Sequence, residues 1–366
     1  MTQKSEHFHG SDLEKIEEVY HIPREEITSF SANVNPLGIS PKLRETLTEH
    51  IDAITGYPER DYASLRRSIG QYIHTDTENI IVGNGSTELI SLFIHRICPA
   101  NAMILGPSYS EYEHELHLTG AGIHYYQMRE EDGFKIDTKD LIAQLTPEMG
   151  LLIMCNPNNP TSTAITRDEM GVILDACKKN GTYVLVDETY VEFSDRYESI
   201  TSIPLVNDFD NIIILRGISK FFAAPGLRLG YAVCSNRELL ADAVSRQNPW
   251  SINTLACIAG EIMFTDEAYI KQTKELISSE RNRMCKELEK LPNVRFYEAD
   301  GNFILCRILK DGITSDDVFE AAIRQKLMIR NCSDFPFLGD KYFRFCIMSP
   351  EKNDELMQVI YTLLGA

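Results

Sequence analysis

The chain has 366 residues, and at about 150 residues per domain that length suggests two domains. With 43% hydrophobic and 25% charged residues it has ample apolar surface for a core, which excludes a disordered chain. Its 36 basic and 54 acidic residues leave a net charge of −18, which argues against nucleic acid and against anionic membrane surfaces as partners.

The first ten residues hold no apolar run of the secretory type, and no run in the chain approaches the length of a membrane span. Nine widely spaced cysteines without a C-x-x-C pair read as reduced thiols, not as a disulfide framework or a zinc site, so a cytoplasmic, metal-free protein is expected.

In chain order, a helix is expected at Leu13–Tyr20, followed by the irregular stretch Phe30-Ser-Ala-Asn-Val-Asn-Pro-Leu-Gly38, whose Asn, Pro and Gly mark a structured loop. Short apolar runs then predict strands at Ile80–Val82, Ala102–Leu105, His124–Gln127, Leu151–Cys155, Tyr183–Val186, Ile212–Leu215 and Leu229–Cys234. Between them the pattern predicts helices at Ser86–Ile97, Ser110–Leu118, Arg167–Lys179 and Arg237–Ser245. Buried strands alternating with helices imply an α/β fold with a mainly parallel sheet. The last third reads as a smaller α+β unit. It has a long helix near Asp266–Leu291, strands near Val294–Tyr297 and Phe303–Arg307, and helices near Ser315–Gln325 and Lys352–Leu364.

Four motifs carry chemistry. Val82-Gly-Asn-Gly-Ser-Thr-Glu88 is a glycine-rich turn from a strand into a helix, where Gly85, Ser86 and Thr87 would present donors to an anion. By itself it is either a phosphate cradle or a capped tight turn. It matches neither a Walker loop nor G-x-G-x-x-G, so nicotinamide binding is disfavoured. Cys155-Asn-Pro-Asn-Asn-Pro-Thr161 is a proline-rich turn after a strand. Val184-Leu-Val-Asp-Glu-Thr-Tyr190 puts an acidic pair at a strand's carboxyl end, where open α/β sheets bind ligands and where solvated acids also occur. Ile218-Ser-Lys-Phe-Phe-Ala-Ala-Pro-Gly-Leu-Arg-Leu-Gly230 sets Lys220 among apolar residues, with Arg228 eight positions on. A lysine so placed is either a snorkelling surface residue or a Schiff-base nucleophile.

Taken in order, these motifs resemble the fold-type I pyridoxal 5′-phosphate (PLP) enzymes of the class I/II aminotransferase superfamily, over nearly the whole chain. The resemblance implies an aspartate-aminotransferase-like fold with a seven-stranded sheet flanked by helices. It also implies an N-terminal arm over 1–40, a large PLP-binding domain over 41–260 and a small domain over 261–366. It assigns Lys220 to the covalent attachment of PLP, Asp187 to the pyridinium nitrogen, and Tyr190 and Asn159 to the ring oxygen. Tyr109 would stack on the ring, and Gly85, Ser86, Thr87, Ser219 and Arg228 would hold the phosphate. Tyr57 would reach the phosphate from a neighbouring subunit, which implies a homodimer with shared active sites. Arg344 would clamp a substrate α-carboxylate.

Two positions depart from the family pattern: Asn159-Pro-Thr-Ser162 has serine where glycine is usual, and Gly217 replaces the hydroxyl residue common three positions before the lysine. Within the superfamily the nearest patterns are those of threonine-phosphate decarboxylases and histidinol-phosphate aminotransferases. His9-Gly10, the Phe30–Gly38 stretch, Arg246-Gln-Asn-Pro-Trp-Ser-Ile-Asn253 and Leu255-Ala-Cys-Ile-Ala-Gly-Glu261 lean toward the decarboxylases. That resemblance implies a phosphorylated amino-acid substrate held by Arg330, Asn33 and His9, and a place in cobalamin side-chain synthesis. Transamination of histidinol phosphate, or of another phosphorylated or phosphonate amine with 2-oxoglutarate, is the alternative.

Overall fold

A computed structural model describes residues 8, 10 and 12–365. The expected mainly parallel sheet is present. Its seven strands lie in the order Ile80–Gly83, Gly230–Val233, Ile212–Gly217, Tyr183–Asp187, Met149–Cys155, Asn101–Gly106, Gly122–Gln127. Gly230–Val233 runs antiparallel to both neighbours, and the other pairings are parallel. The central strands bury both faces, with Leu151–Met154, Val184–Val186 and Ile212–Leu215 all at 0% exposure, which requires helices on each side.

Those helices begin and end on local signals. Thr166 and Glu169 form a reciprocal capping box at Arg167–Asn180, and Gly181 closes that helix in the left-handed conformation. Asn236 caps Arg237–Arg246 through Leu239 N. A cap of this type contributes about 1 kcal/mol. Beyond the expected helices lie the short Thr138–Gln144 and Tyr197–Ile200, and also Pro41–Glu49, Ala63–Ile73 and Thr254–Met263. The last packs on Pro41–Glu49 and Ala63–Ile73. Ser40, whose Oγ accepts from Leu43 N, and Pro41 in the first turn start Pro41–Glu49.

The C-terminal third builds a four-stranded antiparallel sheet, Arg330–Asn331, Tyr342–Cys346, Phe303–Ile308 and Val294–Phe296, with helices Glu267–Leu288, Ser315–Ile323 and Pro350–Leu364. In this sheet Arg330 lies directly opposite Arg344. The N-terminal segment joins the same region, because Thr28–Ser29 pairs in parallel with Leu327–Met328. All nine cysteines are free thiols. Among the described residues no helix is long and apolar enough to cross a membrane.

Candidate active site

A cleft of about 410 Å³ opens at the carboxyl ends of the parallel strands, facing the small sheet. Its first wall is the N-terminus of helix Gly85–Ile97, whose N-cap Asn84 makes no side-chain cap. Gly85 has φ +81°, and a Cβ there would collide with the Arg228 guanidinium. Gly230 serves a similar end, since its Cβ would stand 2.5 Å from Ser86 N. The two glycines thus let an arginine and a helix N-terminus converge on one point, as an anion cradle requires.

The acidic pair at the next strand end divides its work. Asp187 faces the cleft, where Oδ2 accepts from Tyr112 Oη at 2.7 Å and Oδ1 from Thr189 N at 2.9 Å. Glu188 points away and pairs with Arg216 at 2.7 Å, both side chains fully buried. Arg216 lies on the neighbouring strand, so the pair ties the two strands together just beside Asp187.

Lys220 follows the strand Ile212–Gly217, and its Nζ donates to Ala32 O at 2.7 Å. Burial in the cleft, helped by Arg344 and Arg228, brings its pKa down to about 8. Tyr190 packs edge-on against Phe303 at 4.9 Å and accepts from Asn33 Nδ2 at 3.4 Å, and burial raises its pKa. Tyr109 meets Tyr112 edge-on at 5.6 Å, and burial pushes its hydroxyl up to about 12.

Two arginines descend from the small sheet. Arg344 donates to Asn159 Oδ1 and, at 2.8 Å, to Ser31 O, with its guanidinium 5.0 Å from the Phe303 ring centroid. Burial lowers its pKa. Arg330 donates to Phe8 O at 3.0 Å and pairs with Asp334 at 2.7 Å.

Four buried polar atoms around this cleft, Ser31 Oγ, Asn33 Oδ1, Ser108 Oγ and Arg344 Nε, have no hydrogen-bond partner among the described residues. Buried polar groups are rarely left unpaired, so such a cluster fits a polar ligand, to whose anionic groups the two serine hydroxyls and Arg344 Nε can donate. A phosphate cradle, a lysine of lowered pKa and a carboxylate held by two hydroxyl groups fit PLP in particular.

The cleft gathers Gly85, Ser86, Thr87, Tyr109, Asn159, Asp187, Tyr190, Ser219, Lys220, Arg228, Asn33, Arg330 and Arg344. Tyr57 is not among them: it is 82% exposed and packs on Trp250 at 4.8 Å. His9 lies outside the described residues. The sequence reading missed Tyr112, Thr189 and Asp334, which also line the cleft.

The two departures have local explanations. Ser162 itself adopts φ +64°, and its Oγ accepts from Gly301 N at 2.9 Å, which offsets the strain of the left-handed conformation. At Gly217 a Cβ would meet nothing nearer than 3.7 Å, Ser86 Oγ among its neighbours, so the missing hydroxyl leaves room beside the cradle.

A parallel sheet with a lysine, a strand-end aspartate and a helix N-terminus at its carboxyl edge defines the aspartate-aminotransferase-like fold. The family model "Aminotransferase class I and II" matches residues 25–360, and the chain belongs to this family of PLP-dependent enzymes. It is 33% identical to the threonine-phosphate decarboxylase of Salmonella typhimurium, covering 97% of this chain and 96% of that one. It is 32% identical to histidinol-phosphate aminotransferase 2 of Archaeoglobus fulgidus, covering 92% and 93%. The crystal structure of the histidinol-phosphate aminotransferase from Clostridium acetobutylicum matches with a TM-score of 0.85 at 29% identity, covering 91% of this chain and 98% of that one.

Proposed function

We propose that this protein is a PLP-dependent decarboxylase of L-threonine O-3-phosphate, yielding (R)-1-aminopropan-2-yl phosphate and CO₂. The observation that carries the reading is the opposed pair Arg330 and Arg344, two anion-binding groups over one lysine-bearing cleft. The 33% identity to a threonine-phosphate decarboxylase over 97% of the chain supports the reaction.

Gly85, Ser86, Thr87, Ser219 and Arg228 would hold the cofactor phosphate, Tyr109 would cover its ring, and Asn159 and Tyr190 would face the ring oxygen. When bound, the cofactor supplies an electron sink for the pair left on Cα. Asp187, fixed by Tyr112 and Thr189, would keep a proton on the ring nitrogen. Arg344 binds the substrate carboxylate, and Arg330 with Asn33 and His9 holds the phosphate. Two anion clamps orient the substrate about Cα, and that orientation decides which bond is set to break. Loss of CO₂ leaves Cα short of one proton, and Lys220, with a pKa near 8, would deliver it.

The division into an arm (1–40), a large domain (41–260) and a small domain (261–366) belongs to this reading. So does a homodimer in which Tyr57 completes the partner's phosphate site. The exposure of Ile51, Ile54, Tyr57 and Trp250 supports such an interface. Nine free thiols fit the reducing cytosol. The pathway is cobalamin side-chain synthesis.

The test is single-substrate turnover followed by NMR, with protein, PLP and L-threonine O-3-phosphate but no keto acid. Catalytic appearance of aminopropanol phosphate establishes the reading, and its absence overturns it. The fold match to the Clostridium aminotransferase favours a second reading, transamination of histidinol phosphate or another phosphorylated or phosphonate amine. Turnover that requires 2-oxoglutarate and releases no CO₂ would establish that one.

A further inference from the structure

Lys220 sits in a turn, 218–224, that belongs to no helix or strand. Within it Ala223 N donates to Lys220 O at 3.3 Å, and Ala223 takes φ +52°, the left-handed region that alanine rarely adopts. Asn35, from the Phe30–Gly38 loop, holds this turn from outside. It is buried and does not line the cleft. Asn35 N donates to Lys220 O at 3.0 Å, and Asn35 Nδ2 donates to Phe221 O at 2.8 Å. Asn35 Oδ1 accepts from Leu37 N at 3.1 Å, which fixes the orientation of the amide. The loop itself is pinned by its carbonyls. Phe30 O accepts from Cys346 N, Ser31 O from Arg344, Ala32 O from the Lys220 amine and Asn33 O from Asn302 Nδ2. Lys220 is thus tied to one loop at both ends, by its carbonyl to Asn35 and by its amine to Ala32.

We infer that Asn35 is a positioning residue for Lys220: by holding the backbone of the lysine's turn, its side chain sets how deep in the cleft the amine stands. The inference rests on the reading of Lys220 as the residue that attaches PLP. A lysine amine rides on a flexible four-carbon stem. A fixed backbone limits its reach and keeps Nζ beside Ala32 O, where Arg344, Arg228, Asp187 and Cys346 face it. In that place burial and the two arginines favour the neutral, nucleophilic amine. With Phe221 O released, the turn relaxes, and the amine swings toward water and takes up a proton. The Asn35 amide has two hydrogens and three acceptors within reach, Phe221 O and, both at 2.9 Å, Tyr269 Oη and Thr273 Oγ1. Thr273→Val therefore leaves both hydrogens with partners, whereas Asn35→Ala frees Phe221 O.

The experiment follows covalent PLP uptake by the apoprotein against pH at saturating PLP, with the adduct trapped by borohydride and located by peptide mass spectrometry. Asn35→Ala should raise the pH of half-maximal uptake by about one pH unit and slow uptake at neutral pH about tenfold, because each pH unit changes the free amine tenfold. Thr273→Val should lower the melting temperature and leave the profile in place. A wild-type profile in Asn35→Ala overturns the inference, and so does an equal displacement in both variants, which would mark general loosening. If Asn35→Ala does not fold, Asn35→Ser takes its place, its hydroxyl stopping short of Phe221 O. Failure of both to fold makes Asn35 a structural residue and equally overturns the inference. Lys220→Ala tests the underlying reading separately. An adduct trapped at full yield in that variant shows that PLP attaches elsewhere, and the reading of Lys220 then fails instead.

Discussion

Gly85 and Arg228 share one volume: the Arg228 guanidinium lies where the Cβ of any other residue at position 85 would stand. Gly85→Ala must therefore move the arginine and also hold alanine at φ +81°, a conformation that costs about 1–2 kcal/mol. We expect PLP to bind at least tenfold more weakly by absorbance titration, with a small fall in melting temperature. Unchanged PLP affinity would remove Arg228 from the phosphate site.

Position 217 offers the opposite change. A serine there meets no atom closer than 3.7 Å at Cβ and sits beside Ser86 Oγ. Gly217→Ser should fold normally and release PLP more slowly, by about tenfold or more, because one hydrogen bond to a charged group contributes about 1.5–3 kcal/mol. Faster release would show that the cradle is not where the family pattern sets it.

Lys220 gives a pH signature. Its amine is protonated and unreactive below a pKa of about 8, so covalent PLP uptake by the apoprotein should accelerate as pH rises through that value. Arg344 is one cause of the depression, and Arg344→Met should shift the inflection upward. Lys220→Ala should abolish turnover while leaving the circular dichroism spectrum intact.

Asp187→Asn should cut kcat by about a hundredfold or more, if its carboxylate is the fixed charge that the proposed function sets against the ring nitrogen of PLP. Tyr112→Phe removes only one hydrogen bond to that carboxylate, about 1.5 kcal/mol at the low end for a charged acceptor, and should cost roughly tenfold. Equal losses in the two variants would mean that Tyr112 acts on something other than Asp187.

Mixed dimers test the role of Tyr57. A Tyr57→Phe chain combined with a Lys220→Ala chain should recover part of the activity that neither homodimer shows, because one of the two shared sites is then intact. Failure to complement, with mixed dimers shown by native mass spectrometry, would confine each site to one chain.

The strands of the large sheet were legible because burial on both faces writes them as unbroken runs such as Ile212–Leu215. The strand Tyr342–Cys346 is also buried, but Arg344 interrupts its apolar run and hides the strand pattern. Helix Thr254–Met263 was noticed only as a family-like run, although Asn253 caps it through Ala256 N. Tyr112 escapes a sequence reading because its partner Asp187 is 75 positions away, although it lies three residues after Tyr109, the N-cap of its own helix. Asp334 escaped for a different reason. Its spacing of four from Arg330 suggests a helical pair, whereas the chain there leaves a strand and turns back. Local patterns record which residues are buried together, while long-range hydroxyl-to-carboxylate contacts leave no periodic mark.

Arg330 and Arg344 are register partners on adjacent antiparallel strands. Directly opposed residues in such a ladder have Cα atoms about 4.5–5.5 Å apart, a spacing set by backbone hydrogen bonds and not by loops. On the proposed reading the ladder would be a gauge, measuring the separation of two negative groups on a guest molecule. A slip of one residue would turn one arginine to the opposite face of the sheet and erase the measurement. Guests with both anions a few bonds apart fit the gauge, and longer ones must leave one arginine unmatched.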